Sequence, residues 1–259
     1  MNLIKITSVA MATLLLVSCS TRVPVTDRKQ RLLNNEQSLI DQAKFQYGEF
    51  LKTANVLPES DAKAQKVAEI GNKIKNSVEA YLKKKNQLDR VEGFDWEFRT
   101  VEDSVVNAWC MPGGKVVVYT GILDLAGDDD ELAVVMGHEI AHAIARHGNE
   151  RMTKLYGTEA IKIILGVATG GNEQLMQIYG VGTTLGILKY SRNHETESDK
   201  MGLVFMKLAG YDPYKAITFW EKMSANGGSP PEIFSTHPSD ETRIADIKAF
   251  IEEIDKYIE

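Results

Sequence analysis

Residues 128–147 read DDDELAVVMGHEIAHAIARH, and this stretch constrains the fold more than any other. It opens with four carboxylates, Asp128, Asp129, Asp130 and Glu131, where the positive end of a helix dipole favours negative charge. Leu132, Val135, Met136, Ile140 and Ile144 then recur at helical spacing, with no proline among them. At about 100° per residue, His138 and His142 fall about 40° apart on such a helix. Glu139 lies within the same arc of about 100°. All three side chains can reach one point in space. Two neutral imidazoles can bind Zn²⁺ there, and Glu139 can address a water on the metal. The chain has 5 histidines, at 138, 142, 147, 194 and 237, none in its first half, so they gather around this one segment.

The opening residues, MNLIKITSVAMATLLLVSC, place one lysine before an apolar run that ends at Cys19. The run is too short and too early for a transmembrane helix of the mature chain and reads as a signal segment over 1–18. LVSC resembles a bacterial lipobox, in which Cys19 is lipidated and becomes the new amino terminus. Residues 19–35 then read as a lipidated tether and docking segment, and 36–259 as a single domain. A lipid-bearing Cys19 would anchor the chain to a membrane. Ser20 after the cysteine favours the outer membrane over the inner, with the domain facing the periplasm. A formal charge of −6, more negative once Lys5 leaves with the leader, argues against nucleic acid as a partner. Cys110 is the other of 2 cysteines, so no disulfide forms within the mature chain, and it reads as a small buried strand residue.

Helices are expected over 36–56 and 60–88, broken around Pro58, and a strand over 93–103, where Phe94, Trp96 and Phe98 alternate. Residues 104–123 read as two strands joined at Met111-Pro112-Gly113-Gly114, giving a small antiparallel sheet just before the histidine helix. Residues 157–190 read as buried helix with glycine joints or a lid. Helices follow over 191–209 and 213–225, then a loop over 226–240. A last helix carries Ile244, Ile247, Ile251, Ile254 and Ile258 as a packed seam.

A catalytic zinc takes three protein ligands and keeps one position open. His147 falls five residues after His142, not the six of a metzincin, and fits better as a helix-end residue. The segment SRNHETESDKMG (191–202) offers Glu195, Glu197 and Asp199 instead. Glu195 and Asp199 share a face. Glu195 could bind the metal while Asp199 accepts a hydrogen bond from a ligand imidazole. Glu197 points roughly opposite and is expected to be solvated. His194 is expected at the surface.

Four blocks in order, NAWCMPGGKVVVYTGIL, DELAVVMGHEIAHAIARHGNER, YSRNHETESDKMGL and FSTHPSDETRI, resemble the zinc metallopeptidases of the HtpX and CAAX-prenyl-protease type, peptidase family M48. The likeness is greatest to lipoprotein and periplasmic members. It covers residues 104 to 245 well and those before 90 weakly. Two positions depart from the family pattern: Ser198 replaces the usual alanine, and Cys110 stands where a small apolar residue is common. The resemblance implies an α+β, mostly α, zincin-like fold. It implies one Zn²⁺ per chain held by His138, His142 and Glu195, with Asp199 behind the ligands. It makes Glu139 the base and His237 and Arg243 candidate stabilisers of the oxyanion. The strand at Asn107 and Ala108 is then expected to line the substrate groove. A further expectation is a resting state with His237 on the metal. The activity implied is hydrolysis of unfolded or misfolded envelope proteins. The competing reading is a lipoprotein chaperone or assembly factor with a structural zinc. Glu139 separates the two, since a structural site needs ligands but no base.

Overall fold

A computed structural model describes residues 20–154, 190–225 and 242–259. The chain begins with an antiparallel hairpin, β1 (Ser20–Arg22) and β2 (Lys29–Arg31). Two helices follow, α1 (Glu36–Leu51) and α2 (Ala62–Lys84), capped by the side chains of Asn35 and Asp61, with Pro58 in the break between them. After a 3₁₀ turn at Leu88–Val91 come β3 (Glu97–Val101), β4 (Ala108–Met111) and β5 (Lys115–Tyr119). The helices α3 (Thr120–Ala126), α4 (Asp129–Ile144), α5 (Arg192–Leu208), α6 (Lys215–Ala225), α7 (Arg243–Ile251) and α8 (Asp255–Ile258) follow, and residues 147–154, after α4, are helical as well. The architecture is α+β and mostly helical, as the sequence implied.

The three-stranded sheet has the order β3-β5-β4. β4 and β5 pair antiparallel across the Pro112-Gly113-Gly114 turn, as expected, but β3 runs parallel to β5, so the sheet is mixed. The reason lies in the link from β3 to β4. Residues 102–107 carry the chain past β5 to its far side, which leaves β5 central, and its Val116, Val117 and Val118 are fully buried. The run expected as strand through Leu123 turns helical at Thr120.

α4 is the centre of the molecule. Asp128 caps it, its side chain accepting from the Glu131 backbone N–H at 2.9 Å. Leu132, Met136, Ile140 and Ile144 are at most 1% exposed, each worth about 1.5–3 kcal/mol on burial. Packing therefore outweighs intrinsic helix propensity here. β4, α2, α5 and α6 surround α4. The closest approach is to α5, where Gly137 and Gly202 meet: a Cβ placed on Gly202 would lie 2.8 Å from the Gly137 carbonyl carbon and from the His138 nitrogen. Two glycines at the crossing let the backbones touch.

The segment read as a tether is a hairpin from residue 20 on, and it packs on the domain with Val23 and Gln30 buried. The isoleucine seam at the carboxyl end is split by a turn at 252–254 into α7 and α8; Ile247, Ile251 and Ile254 are buried, while Ile244 and Ile258 are half-buried. Among the described residues no helix is long and apolar enough to cross a membrane. The expected signal segment, Cys19, most of residues 157–190 and His237 lie outside the described residues.

Candidate metal centre

His138 and His142 project from α4 towards Glu195 on α5, and all three are buried. His138 Nε2 lies 3.0 Å from His142 Nε2 and 3.3 Å from Glu195 Oε2, and His142 Nε2 lies 3.4 Å from Glu195 Oε1. A tetrahedron with metal–ligand bonds of ~2.0–2.2 Å has edges of about 3.3–3.6 Å. Three donors already 3.0–3.4 Å apart, two neutral nitrogens and one carboxylate, fit zinc in size and in chemistry.

Behind His138 stands a braced carboxylate. His138 Nδ1 lies 2.9 Å from Asp199 Oδ1. Arg243 clamps Asp199 from the other side, donating from Nε to Oδ2 at 2.8 Å and from Nη2 to Oδ1 at 2.7 Å. Its guanidinium lies over the Trp220 ring at 3.4 Å, which holds it flat. Burial pushes the Asp199 carboxyl up, but Arg243 and His138 outweigh it and keep it below the ordinary range. Burial likewise opposes a charged His138, while hydrogen bonds to Asp199 and Glu195 favour it and raise its pKa.

Glu139, next to His138 on α4, is buried, and its charge is felt at Cys110 on β4 and at Tyr190. Cys110 is a free thiol whose pKa burial raises well above the ordinary value. Ala108 is buried at the start of β4, and the Asn107 side chain accepts from its backbone N–H at 2.9 Å. β4 is the edge strand nearest α4; the strand expected at Asn107 and Ala108 begins only at Ala108.

Two expectations are overturned. Glu197 is not solvated: it is 4% exposed, with His147 Nε2 2.9 Å from its Oε2 and Arg28 bound to both its oxygens. The face of α5 opposite Glu195 is covered by the hairpin and by the turn after α4, so both faces of this helix are interior. His194 is likewise buried, stacked on His147 with ring centroids 4.3 Å apart. His147 is no member of the donor set; it is a buried residue at the restart of the helix, and burial lowers its pKa to about 4.

Three contributors were not singled out from sequence. The Tyr190 ring covers His142 at 3.8 Å and is itself faced by Arg151 at 3.8 Å. Trp220 supports Arg243. Arg28 reaches in from the hairpin. Tyr190 directly precedes the SR of the third block, a position that could have flagged it. Trp220 and Arg28 lie in segments with no motif.

An α+β domain with two helical histidines and a carboxylate from a second helix converging on one buried point defines a zincin-like zinc metallopeptidase. The sequence profile of peptidase family M48 matches residues 66–251. The chain belongs to that family. It is 39% identical over 157 residues to mitochondrial metalloendopeptidase OMA1 of Arabidopsis thaliana, covering 59% of this chain and 31% of the relative. It is 36% identical over 180 residues to the OMA1 of Schizosaccharomyces pombe, covering 68% and 52%. It is 29% identical over 164 residues to the β-barrel assembly-enhancing protease of Escherichia coli, covering 59% and 34%. The chain thus spans from 31% to 52% of the length of these relatives.

Proposed function

We propose that this protein is a membrane-anchored zinc metalloendopeptidase that hydrolyses peptide bonds in unfolded or misassembled proteins of the bacterial cell envelope. The observation that carries the hydrolytic reading is the His138–His142–Glu195 donor set with Glu139 beside it on the same helix. Zinc bound there would supply a Lewis acid, acidifying water and polarising the scissile carbonyl. Glu139 takes the proton of the attacking water and delivers it to the leaving amine. Asp199 orients His138, and Arg243 orients Asp199. Arg243 Nη1 is buried, 3.6 Å from Glu195 Oε2, and makes no hydrogen bond among the described residues, so it can still donate to a developing oxyanion. His237 is assigned the same task.

The edge of β4 beside Asn107 and Ala108, unpaired among the described residues, supports binding of an extended substrate as an added strand. Backbone pairing reads little sequence, which suits unfolded chains. The lipobox-like LVSC supports removal of residues 1–18, lipidation of Cys19, and a short tether ahead of one domain in the periplasm, on the outer rather than the inner membrane. The relative named for β-barrel assembly favours an envelope role.

Casein digestion by the purified chain, with and without a chelator and beside Glu139→Gln, tests the chemistry. Cleavage should vanish with chelator, return with zinc, and be absent in the variant. Chelator-insensitive cleavage that Glu139→Gln retains would overturn the mechanism. For the anchor, a labelled fatty acid fed to the cells should be incorporated into the unaltered chain and not into Cys19→Ala.

A further inference from the structure

A second polar cluster lies beneath the donor set, and the hydrolytic reading makes no use of it. α4 stops at Ile144, Arg146 takes a φ of +55°, and the chain folds His147 back under His142. His147 Nδ1 lies 2.9 Å from His142 Nδ1. His147 Nε2 lies 2.9 Å from Glu197 Oε2. Arg28, on the hairpin, holds that carboxylate through Nε at 2.9 and 3.0 Å and Nη2 at 2.6 Å, and the Thr26 hydroxyl also donates to it. Arg28 is fixed in turn by Glu150, at 2.8 and 3.1 Å. His194 stacks on His147 at an interplanar angle of 16°, which resists rotation of the ring.

With His142 and His147 both neutral, the described hydrogen bonds fit one assignment. A carboxylate paired with a guanidinium only accepts, so His147 Nε2 carries the hydrogen and donates to Glu197. A neutral His147 then has a bare Nδ1. Of two facing ring nitrogens one must donate, so His142 Nδ1 carries the hydrogen. His142 Nε2 keeps its lone pair, and that nitrogen is the one facing His138 and Glu195. The Ser198 hydroxyl approaches the same His147 nitrogen only to 3.3 Å and is the weaker donor there.

We propose that Arg28, Glu197 and His147 form a positioning relay that holds His142 in its metal-binding tautomer and so couples the amino-terminal hairpin to the metal centre. The proposal rests on the site taking zinc, as argued above. It accounts for three features at once: the buried Glu197, the left-handed Arg146, and a histidine five residues after the motif that does not join the donor set. None of the three relay residues touches the donor point; each acts through the next.

The test is zinc affinity of the full-length chain, measured by competition with a chromophoric chelator, with unfolding temperature read alongside. Glu197→Gln lets the side-chain amide donate to His147 and so permits the opposite tautomer. It should weaken zinc binding by about 10–100-fold. Arg28→Gln should weaken it in the same direction, and Ser198→Ala should leave it unchanged. In the unaltered zinc-loaded chain, two-bond ¹H–¹⁵N NMR should find His147 protonated at Nε2 and bare at Nδ1, a readout that needs no variant to fold. Should the unaltered chain bind no zinc, the metal reading itself falls. If it binds zinc while the folded variants bind as tightly, or if His147 carries its hydrogen on Nδ1, the relay is wrong and the metal reading stands.

Discussion

Gly202→Ala offers the sharpest test of how the donor set is assembled. A Cβ at position 202 would lie 2.8 Å from two backbone atoms of α4, the Gly137 carbonyl carbon and the His138 nitrogen. Ordinary contact begins near 3.4 Å, and backbone cannot swing aside as a flexible side chain can, so α4 and α5 must part by about 0.6 Å. Helix propensity alone favours alanine over an interior glycine by roughly 0.5–1 kcal/mol. Overpacking costs typically 1–3 kcal/mol. The clash therefore wins, and the metal-free chain should lose on the order of 1–2 kcal/mol. The effect on the metal should be larger, because ligand distances hold to within about 0.2 Å and α5 carries Glu195 away from both histidines. Zinc affinity should fall at least about tenfold. Gly48→Ala is the control: nothing lies within 4 Å of its added Cβ, and it should be neutral or slightly stabilising. Thermal unfolding without metal, paired with chelator competition, reads both quantities. If Gly202→Ala matched Gly48→Ala in stability and kept its zinc affinity, the close helix crossing would not be what sets the site.

Asp199→Asn should weaken zinc binding by about 10–100-fold while the chain stays folded, seen by chelator competition, because Arg243 and His138 lose the carboxylate between them. Acid should unfold the protein partly through the hairpin cluster. Burial raises Glu197 and Glu150, but His147, His194 and Arg28 outweigh it and hold both below their ordinary value of 4.5, Glu197 at about 2. A depressed carboxylate contributes stability above its unfolded pKa and loses it as pH falls through the folded one, so unfolding temperature should drop between about pH 4.5 and 2. The gap between the unaltered chain and Arg28→Ala should narrow over the same range; a gap independent of pH would refute that attribution. The Cys110 thiol, buried on β4, should react with a disulfide reagent only after denaturant unfolds the chain.

Local pattern made much of this protein legible. Spacing along one helix was enough to set His138, Glu139 and His142 on a common face, because helix geometry is the same wherever it occurs. The apolar run, the acidic cap and the Pro-Gly-Gly turn likewise announced α4 and the β4–β5 pair. Glu195 and Asp199 could be recognised as facing together, yet only family resemblance said they face the histidines. Periodicity reports which residues share a side of an element and is silent on what covers that side. For this reason spacing along the chain does not show that Glu197 and His194 are buried: a polar face normally meets water, and here it meets the hairpin and the restarted helix after α4. Tertiary contact alone decided three things. The Gly137–Gly202 crossing brings two helices close enough for their side chains to converge. The stacking of Arg243 on Trp220 stiffens the support of Asp199. And Arg28, more than a hundred residues before α5 in sequence, is placed against Glu197, because long-range partners are chosen by the packing of whole elements rather than by any spacing along the chain.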